Sequence, residues 1–268
     1  MTAIAVTIAG SDSSGGAGIQ ADIKTFAALG VYGASVITAL TAQNTTGVTA
    51  IHDVPADFIG AQIDAVFSDL EVGAVKIGML SQSAAIHAVV KGLTRYQAKN
   101  IVLDPVMVAT SGAALSSNSA IETLRHELIP RALVVTPNLP EAAALIGASI
   151  AHNEREMEIQ AREIMSLGAL NVLIKGGHGC GEESVDLLVG QGEVIRLSAK
   201  RIKTRNTHGT GCTLSSAIAA GLAKGLDLAA SAHDAKAYVT TAIASNDHFA
   251  VGHGNGPLHH FFAQWSDA

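Results

Sequence analysis

The chain has few aromatic residues and no excess of positive charge. Tryptophan, tyrosine and phenylalanine make up 4% of its 268 residues, so a platform for stacking the bases of single-stranded nucleic acid is not expected. Lys and Arg number 17 against 23 Asp and Glu, which gives a net charge of −6. Binding to nucleic-acid phosphates requires a basic surface. The composition therefore argues against nucleic acid as a partner.

Cysteine and long apolar runs are also scarce. Two cysteines cannot form a disulfide framework, and they suit a reducing compartment. No apolar run approaches the ~18–20 residues that span a bilayer. The apolar beginning, MTAIAVTIAG, has no Lys or Arg in front of it and no cleavage-like site, so it predicts a first strand rather than a signal peptide. We expect a cytoplasmic protein that does not contact membranes.

What the sequence does have is apolar residues, which are 48% of the chain against 15% charged residues. This is enough to fill a large core and too apolar for disorder. The length allows one large domain or two small ones. Because no Pro-, Gly- or Ser-rich linker divides the chain, we expect a single domain over residues 1–268.

Short β-rich runs alternate with helical patterns from end to end, which predicts a mostly parallel sheet with helices on both faces. The predicted strands are Ala3–Ala9, Ser35–Leu40, Ala74–Ile77, Ile101–Leu103, Ala132–Thr136, Asn171–Ile174, Val185–Val189 and Glu193–Leu197. The last two, separated by Gly190–Gly192, predict a hairpin and hence an antiparallel edge. The predicted helices are Ile19–Leu29, Ala56–Leu70, Ala84–Leu93, Ile121–Leu128, Pro140–Leu145, Glu154–Leu167, Cys212–Lys224 and Leu228–Ala244.

Ligands of such sheets bind outside the carboxyl ends of the strands, so the loops that follow strands carry the candidate chemistry. These loops are Gly10–Gly18, Thr41–Gly47, Gly78–Leu80, Asp104–Gly112, Pro137–Glu141, Lys175–Gly181 and Thr204–Gly211. The first loop is one residue short of a P-loop and has Gly16 where the lysine is needed. Gly16–Ala21 fits the loose dinucleotide pattern, but no acidic residue ends the second strand to hold a ribose.

The most informative segment is Asn206–Ser216, where a Gly-rich turn opens directly into an apolar helix. Amides of Gly209, Gly211 and Cys212 at such a helix start are free to bind an anion, and the helix dipole adds positive potential. The same position is expected to lower the pKa of the Cys212 thiol, so that it accepts a proton from a substrate hydroxyl. The alternative is that Cys212 is a small buried apolar residue beside a simple turn.

Asn138 and Glu141 lie three residues apart at a predicted helix start. An amide and a carboxylate there can organise Mg²⁺ and its waters. The alternative is capping, with Asn138 as N-cap and Glu141 as its capping-box partner, and on the sequence alone this alternative is favoured.

Four other polar residues follow strands or begin helices. Lys175 places a cation at a strand end and either contacts nucleotide phosphates or belongs to a turn. Asp104 places a carboxylate at another strand end. Gln43 offers a donor and an acceptor that fit the edge of a heteroaromatic ring, or it is a surface turn residue. Asp22 is either a ligand-binding group or a charge in the first turn of a helix.

Together these segments resemble the bacterial hydroxymethylpyrimidine/phosphomethylpyrimidine kinases of thiamine biosynthesis. The resemblance runs from about Ile4 to Trp265 and is carried by Gly10–Asp22, Ile37–Asn44, Lys76–Leu80, Thr136–Ala142, Lys175–His178, Asn206–Thr213 and Val251–His260. It implies a ribokinase-like three-layer α/β/α sandwich, usually a homodimer. It also implies ATP- and Mg²⁺-dependent phosphorylation of 4-amino-5-hydroxymethyl-2-methylpyrimidine and then of its monophosphate.

The resemblance also implies a role for each candidate. Gln43 would bind the aminopyrimidine, and the residues expected to line the same pocket are Gly10, Asp22, Met79 and Val106. Cys212 would be the catalytic base, where ribokinase relatives carry Asp, and Gly209 and Gly211 would form the anion hole. The residues expected along Mg²⁺–ATP are Asn138, Lys175, Thr207 and Asp104, with Glu141 toward the metal.

Two alternatives stay open. A pyridoxal kinase shares the fold and the chemistry and acts on a similar ring alcohol, although Gln43 with Met79 suits an aminopyrimidine. A non-catalytic pyrimidine-binding regulatory protein would keep the fold without turnover, against which Cys212, Asn138 and Glu141 argue.

Overall fold

One eight-stranded sheet organises the protein, whose computed structural model describes residues 1–107, 115, 117–177, 181–245 and 250–265. Its strands are β1 (Ile4–Ala9), β2 (Tyr32–Ile37), β5 (Ala74–Ile77), β6 (Ile101–Leu103), β7 (Val134–Val135), β8 (Val172–Lys175), β9 (Glu183–Val189) and β10 (Val194–Lys200). The order across the sheet is β10-β9-β8-β7-β6-β5-β1-β2. Pairs from β2 to β8 are parallel, whereas β8–β9 and β9–β10 are antiparallel.

Helices pack on both faces of this sheet. They are α1 (Gly18–Ala28), α2 (Ala56–Phe67), α3 (Ser83–Arg95), α4 (Asn118–Thr123), α5 (Leu139–Ile146), α6 (Glu154–Ser166), α7 (Thr210–Ala223) and α8 (Leu228–Ala244). A π-helical turn over Leu124–Leu128 and a 3-10 turn over Ile129–Arg131 continue from α4, where the sequence predicts one α-helix. Pro130 in this stretch removes a backbone donor, which is consistent with the tightened ending.

The alternation of side chains along the strands divides the core in two. In β1, Val6 and Ile8 point to the face covered by α2 to α6, whereas Ala5 points to the face covered by α1, α7 and α8. Phe26 of α1 and Ile218 of α7 are fully buried on that second face. This two-residue period is the normal consequence of strand geometry. The expected α/β class, with helices on both faces and an antiparallel edge, is confirmed.

The predicted strand Ser35–Leu40 is divided between two strands, because the chain turns away from the sheet at Thr38. The amide of Thr38 still donates to Ala9 O (3.0 Å), but its hydroxyl donates to Met79 O (3.0 Å). The next residues form a separate antiparallel hairpin of β3 (Ala39–Asn44) and β4 (Gly47–Asp53), with a bulge between Ala42 and Gln43. The predicted loop Thr41–Gly47 is therefore mostly strand.

Within the described ranges, no helix combines the length and the apolarity that crossing a bilayer requires. The single-domain organisation over residues 1–268 stays a prediction.

Candidate active site

A cavity of about 680 Å³ opens where the parallel strands end at their carboxyl side. Twelve of the residues selected from the sequence contribute to its wall: Gly10, Gln43, Met79, Asp104, Val106, Asn138, Glu141, Lys175, Thr207, Gly209, Gly211 and Cys212. They come from loops that are far apart in the sequence. The fold therefore brings together the residues that were selected because they follow strands. His178 and most of Ser111–Ser116 lie outside the described residues.

Asp22 is the exception, because it is not among the residues that line the cavity, and its place in the pyrimidine pocket stays a prediction. Its side chain is fully buried beneath the cavity. One carboxylate oxygen accepts from Thr7 Oγ1 (2.6 Å) and Lys76 Nζ (2.8 Å), and the other accepts from Ser216 Oγ (2.6 Å). With three donors satisfying it, the carboxylate has a structural role in joining β1, β5, α1 and α7.

Lys76, which received no role from the sequence, reaches the cavity wall from the middle of a buried strand. Burial alone would lower the pKa of Lys76, but the carboxylate of Asp22 raises it above the ordinary value, and Cys212 and Asp104 act in the same direction. The ammonium is therefore a fixed positive charge beneath the site. A charged residue inside the apolar strand Ala74–Ile77 is the signal that could have identified it.

The turn before α7 has the geometry expected of an anion hole. Gly209 has φ +81°, and a Cβ there would overlap Gly16 O, so only glycine fits. Thr210 N–H turns back to Thr207 O (3.2 Å). Within the part of the chain that the structure describes, the N–H groups of Gly211 and Cys212 have no backbone acceptor. These two amides are available to an anion in the cavity.

The thiol of Cys212 differs from expectation. Burial raises its pKa to about 11, and the nearby carboxylates of Asp22 and Asp104 add to the increase. The Lys76 ammonium and the Gly18 amide act in the opposite direction but do not outweigh burial. The predicted lowering of this pKa is therefore wrong for the free protein, since a position at a helix start does not reveal how far the thiol is desolvated.

Three charged side chains meet at the other side of the α7 turn. Lys175 Nζ lies 2.7 Å from Asp104 Oδ1 and 3.8 Å from Glu141 Oε2. Burial raises the pKa of Glu141 to about 7, although Lys175 acts to lower it. A Cβ on Gly211 would lie 3.1 Å from Lys175 Nζ. The absence of a side chain there keeps this charge cluster next to the free amides.

Asn138 and Glu141 form the capping box that the sequence offered as the alternative. Asn138 Oδ1 accepts from Glu141 N (2.8 Å), and Glu141 Oε2 accepts from Asn138 N (2.8 Å). Both residues also line the cavity. Within the described ranges, no cluster of three or more His, Cys, Asp or Glu side chains is placed to bind a metal without other ligands.

Beside Gln43 the structure places two residues that the sequence did not single out. His208 Nε2 lies 2.8 Å from Asp12 Oδ2 and 3.4 Å from Gln43 Nε2. Burial alone would raise the pKa of Asp12, but hydrogen bonds from His208 and Ser14 hold it at about 2. Asp12 and His208 are 196 residues apart in the sequence, so no local sequence pattern indicates that they form a pair.

The far wall of the cavity, formed by β9, β10 and α8, contains a second ion pair that the sequence did not show. Lys236 Nζ lies 2.8 Å from Asp186 Oδ2, and Gly176 N–H donates to Asp186 Oδ1 (2.9 Å). Arg201 in turn donates to the carbonyls of Gly177 and Gly181. These contacts fasten Gly176, Gly177 and Gly181 to the antiparallel edge.

Comparison with known proteins agrees with this geometry. The family model described as phosphomethylpyrimidine kinase matches residues 12–259. A hydroxymethylpyrimidine/phosphomethylpyrimidine kinase from Rhizobium meliloti is 60% identical over 267 residues, covering 100% of both chains. One from Escherichia coli is 52% identical over 261 residues, covering 97% of this chain and 98% of the relative.

Solved structures give the same result. A Bacillus subtilis pyridoxal kinase in complex with ADP superposes with a TM-score of 0.90 at 37% identity, covering 98% of this chain and 99% of that one. A Clostridium difficile phosphomethylpyrimidine kinase has a TM-score of 0.79 at 48% identity, covering 90% and 99%. The ribokinase-like fold and the kinase activity expected from the sequence are confirmed. The chain belongs to the phosphomethylpyrimidine kinase family.

Proposed function

We propose that this protein uses ATP to phosphorylate 4-amino-5-hydroxymethyl-2-methylpyrimidine and then phosphorylates the monophosphate to the pyrophosphate, for thiamine biosynthesis. The proposal is carried by the α7 turn, which contacts both halves of one cavity. His208, immediately before it, contacts Gln43, and Gly211 lies against the pair of Lys175 and Asp104. A ring alcohol on the first side and a nucleotide on the second would meet at the free amides.

The half of the cavity beside Gln43 suits a flat heteroaromatic ring. A Cβ on Gly10 would lie 2.8 Å from Met79 Cε, so glycine lets the thioether lie directly on the backbone. Thr38 fixes the carbonyl of Met79 from behind (3.0 Å). Val106 adds apolar surface, and Gln43 supplies an amide that pairs with a ring nitrogen and its exocyclic amine. Apolar walls with one bidentate polar group are typical of small-molecule sites.

In the half of the cavity beside Lys175 and Asp104, the α7 amides and Lys175 would hold the transferring phosphoryl group. Gly211 and Cys212 line the cavity at the start of α7, where the positive end of this 14-residue helix adds to the potential. In-line transfer depends mainly on positioning and on neutralising charge, which these fixed groups supply. Asn138 and Thr207 would lie along the nucleotide.

The buried carboxylates fit a role with Mg²⁺. Asp104 and Glu141 both face the cavity and share Lys175 as counter-ion, and their oxygens are the ligands that Mg²⁺ prefers. Since Mg²⁺ in kinases takes one or two protein carboxylates together with phosphates and waters, no larger cluster is needed. When bound, Mg²⁺ would neutralise phosphate charge and orient the phosphates.

In its thiolate form, which the Lys76 ammonium stabilises, Cys212 would accept the proton of the alcohol and become the neutral thiol. The monophosphate substrate needs no such base, because its phosphate oxygen is already ionised near neutral pH. The residue therefore matters most in the first phosphorylation.

The test is ADP release measured separately with hydroxymethylpyrimidine, its monophosphate and pyridoxal. We expect turnover with both pyrimidines and a kcat/KM for pyridoxal lower by about tenfold or more, the discrimination expected when one ring edge leaves Gln43 unpaired. Pyrimidine-stimulated ATP consumption would also exclude the non-catalytic alternative. A preference for pyridoxal, or no turnover of either pyrimidine, would overturn the proposal. Gln43→Ala serves as the control that should remove the preference.

We further infer that the protein is a homodimer of the cytoplasm. Support comes from large apolar side chains left exposed on β2 and on the β3–β4 hairpin, namely Tyr32, Leu40 and Ile51. Light scattering on the purified protein should give twice the chain mass, and cell fractionation should recover it in the soluble fraction. A monomeric mass, or recovery with membranes, would contradict the respective inference.

A further inference from the structure

Asp12 begins a chain of polar contacts that ends at the amide of Gln43. Its side chain is 1% exposed and is enclosed by its own loop. Oδ1 accepts from Ser14 N (2.9 Å), and Oδ2 accepts from Gly16 N (3.1 Å) and Ala17 N (2.8 Å). A carboxylate that receives this many N–H groups is ionised and can only accept.

His208 must therefore carry a proton on Nε2, because this atom lies 2.8 Å from Asp12 Oδ2. The ring has little freedom to turn away. A Cβ on Gly16 would lie 2.5 Å from its Cδ2, and the His208 amide donates to Gly256 O (3.0 Å). The tautomer is thus set by a partner from the first loop of the chain, which is a common way for proteins to orient imidazole.

Gln43 then faces a conflict. In the structure its Nε2 is 3.4 Å from His208 Nε2, so that two N–H donors oppose each other. Its Oε1 is 3.1 Å from Thr41 Oγ1, whose single proton is already directed to Ser11 O (2.8 Å). Rotating the amide by half a turn resolves both contacts. The carbonyl then lies next to the Nε2 proton of His208, which it shares with Asp12 Oδ2, and the N–H donates to Thr41. Amide nitrogen and oxygen are assigned by such partners.

We propose that Asp12 and His208 are positioning residues that hold the Gln43 amide with its carbonyl toward α7, and that this makes the site specific for a ring with an amine rather than an oxygen beside the reacting carbon. The inference rests on the proposed function, since it concerns how the same site recognises its ring.

The preference for a 4-amino ring over a 4-oxo ring follows from the order of the hydroxymethyl group, the 4-substituent and N3 around the pyrimidine. The hydroxymethyl group has to point to the α7 turn, which begins immediately after His208. The neighbouring 4-substituent is then closer to α7 than ring N3 is. A carbonyl on the His208 side accepts from a 4-amine, while the amide N–H on the Thr41 side donates to N3. A 4-oxo ring presents the reverse order and would set acceptor against acceptor.

The first test uses the free wild-type protein and requires no catalysis. Two-dimensional ¹H–¹⁵N NMR of ¹⁵N-histidine-labelled protein, assigned by loss of one signal in His208→Phe, should show Nε2 of His208 protonated. A signal with the proton on Nδ1 alone would overturn the proposal, whether or not the protein phosphorylates pyrimidines. A protonated Nε2 together with absent pyrimidine binding would overturn the specificity claim and identify the proposed function as the part that fails.

The second test compares dissociation constants for 4-amino-5-hydroxymethyl-2-methylpyrimidine and its 4-oxo counterpart, measured by calorimetry. We expect His208→Phe to reduce the amino-to-oxo preference by about tenfold, the usual worth of one well-aligned hydrogen bond. The KM for ATP should stay within about twofold, because the nucleotide side is untouched. His208→Gln, which restores an N–H donor, should recover most of the preference. His233→Phe, on the exposed face of α8, is the matched control.

A double-variant cycle separates orientation from packing. Gln43→Ala should abolish the preference, and adding His208→Phe to it should change nothing further, because no amide is left to orient. Equal weakening of both rings in His208→Phe would indicate a packing role and overturn the proposal, and so would additive effects on the preference. Should His208→Phe fail to fold, His208→Gln and the NMR measurement still decide the matter.

Discussion

Lys76 Nζ lies 2.8 Å from Asp22 Oδ2, and neither side chain is exposed to solvent. The pair sits beneath the cavity, between the strand that carries Lys76 and the helix that carries Asp22. Thr7 and Ser216 donate the remaining hydrogen bonds to the carboxylate, so the charge is fully satisfied. Such a pair is costly to break, because the surviving charge remains buried.

Lys76→Met and Asp22→Asn should each lower the free energy of unfolding by about 3–5 kcal/mol, the cost of leaving one buried charge alone. The double variant should lose less than the sum of the two, since no unpaired ion remains. Urea unfolding measures all three. Additive losses would show that the two side chains do not act as a pair.

Cys212→Ala and Cys212→Ser should reduce kcat for the alcohol more than kcat for the monophosphate. Only the alcohol has a proton to transfer near neutral pH, whereas both substrates share the amides that hold the phosphoryl group. Steady-state kinetics with the two substrates measured separately provide the comparison. Equal losses in the two steps would contradict the role of the thiol as a base.

The raised pKa of Cys212 predicts the pH dependence of the first step. Because the thiol is protonated up to about 11, the thiolate fraction in the free enzyme increases with pH throughout the neutral range. We expect kcat/KM for the alcohol to rise by up to about tenfold per pH unit between pH 7 and 9, as for any base titrating well above that range. Cys212→Asp, with a carboxylate ionised at these pH values, should flatten the profile. A flat wild-type profile would exclude thiolate as the required form.

Glu141→Gln should weaken Mg²⁺-dependent turnover, so that more Mg²⁺ is needed for half-maximal rate. The neutral amide keeps an acceptor for the Asn138 amide and removes the negative charge. Kinetics at a series of Mg²⁺ concentrations measure the effect. An unchanged Mg²⁺ requirement would count against a role for Glu141 at the metal.

The same variant tests the raised pKa of Glu141. Burial raises that pKa from 4.5 to about 7, so the folded state holds its proton more tightly than the unfolded state does. The resulting stability is fully present below pH 4.5 and is lost as the pH rises toward 7. The difference in unfolding free energy between wild type and Glu141→Gln should shift against the wild type across this window. A constant difference would show that Glu141 titrates normally.

Gly209→Ala should strongly reduce activity, because its Cβ would overlap Gly16 O and move the amides of the α7 turn. Gly225→Ala is the matched control, since Gly225 has φ +87° but no atom within 4 Å of the added carbon. The control should lose about 1 kcal/mol of stability from backbone strain and keep its activity. We expect kcat to fall by about 10²-fold in Gly209→Ala, as when an oxyanion-hole donor is lost. Equal kcat in the two variants would contradict the requirement for this turn.

Much of the fold could be predicted from the sequence because hydrophobic periodicity and strand–helix alternation are local signals. Helix α8 begins and ends at the predicted residues, and the hairpin of β9 and β10 lies where two glycines separate two β-rich runs. The departure of the chain at Thr38 could not be predicted, because it depends on Met79 O, a partner 41 residues away.

In the candidate site, too, some features could be predicted from the sequence and others depend on distant partners. Loops after parallel strands converge for topological reasons, so residues such as Asn138 and Lys175 could be selected by position. The partner of Asp22 depends on strand register, which sets Thr7 opposite Lys76 in neighbouring strands. The pKa of Cys212 depends on desolvation, which only the packed structure determines.

The contact between Gly16 O and the α carbon region of Gly209 has a consequence for how this chain can change over evolutionary time. The loop that contains Gly16 and the turn that contains Gly209 pack backbone against backbone at this point, with no side chain between them. Neither position can drift on its own, because any larger residue would push the ring-binding loop and the phosphate-binding turn apart. Changes of substrate should therefore arise through residues around the rim of the cavity, while Gly16 and Gly209 stay unchanged.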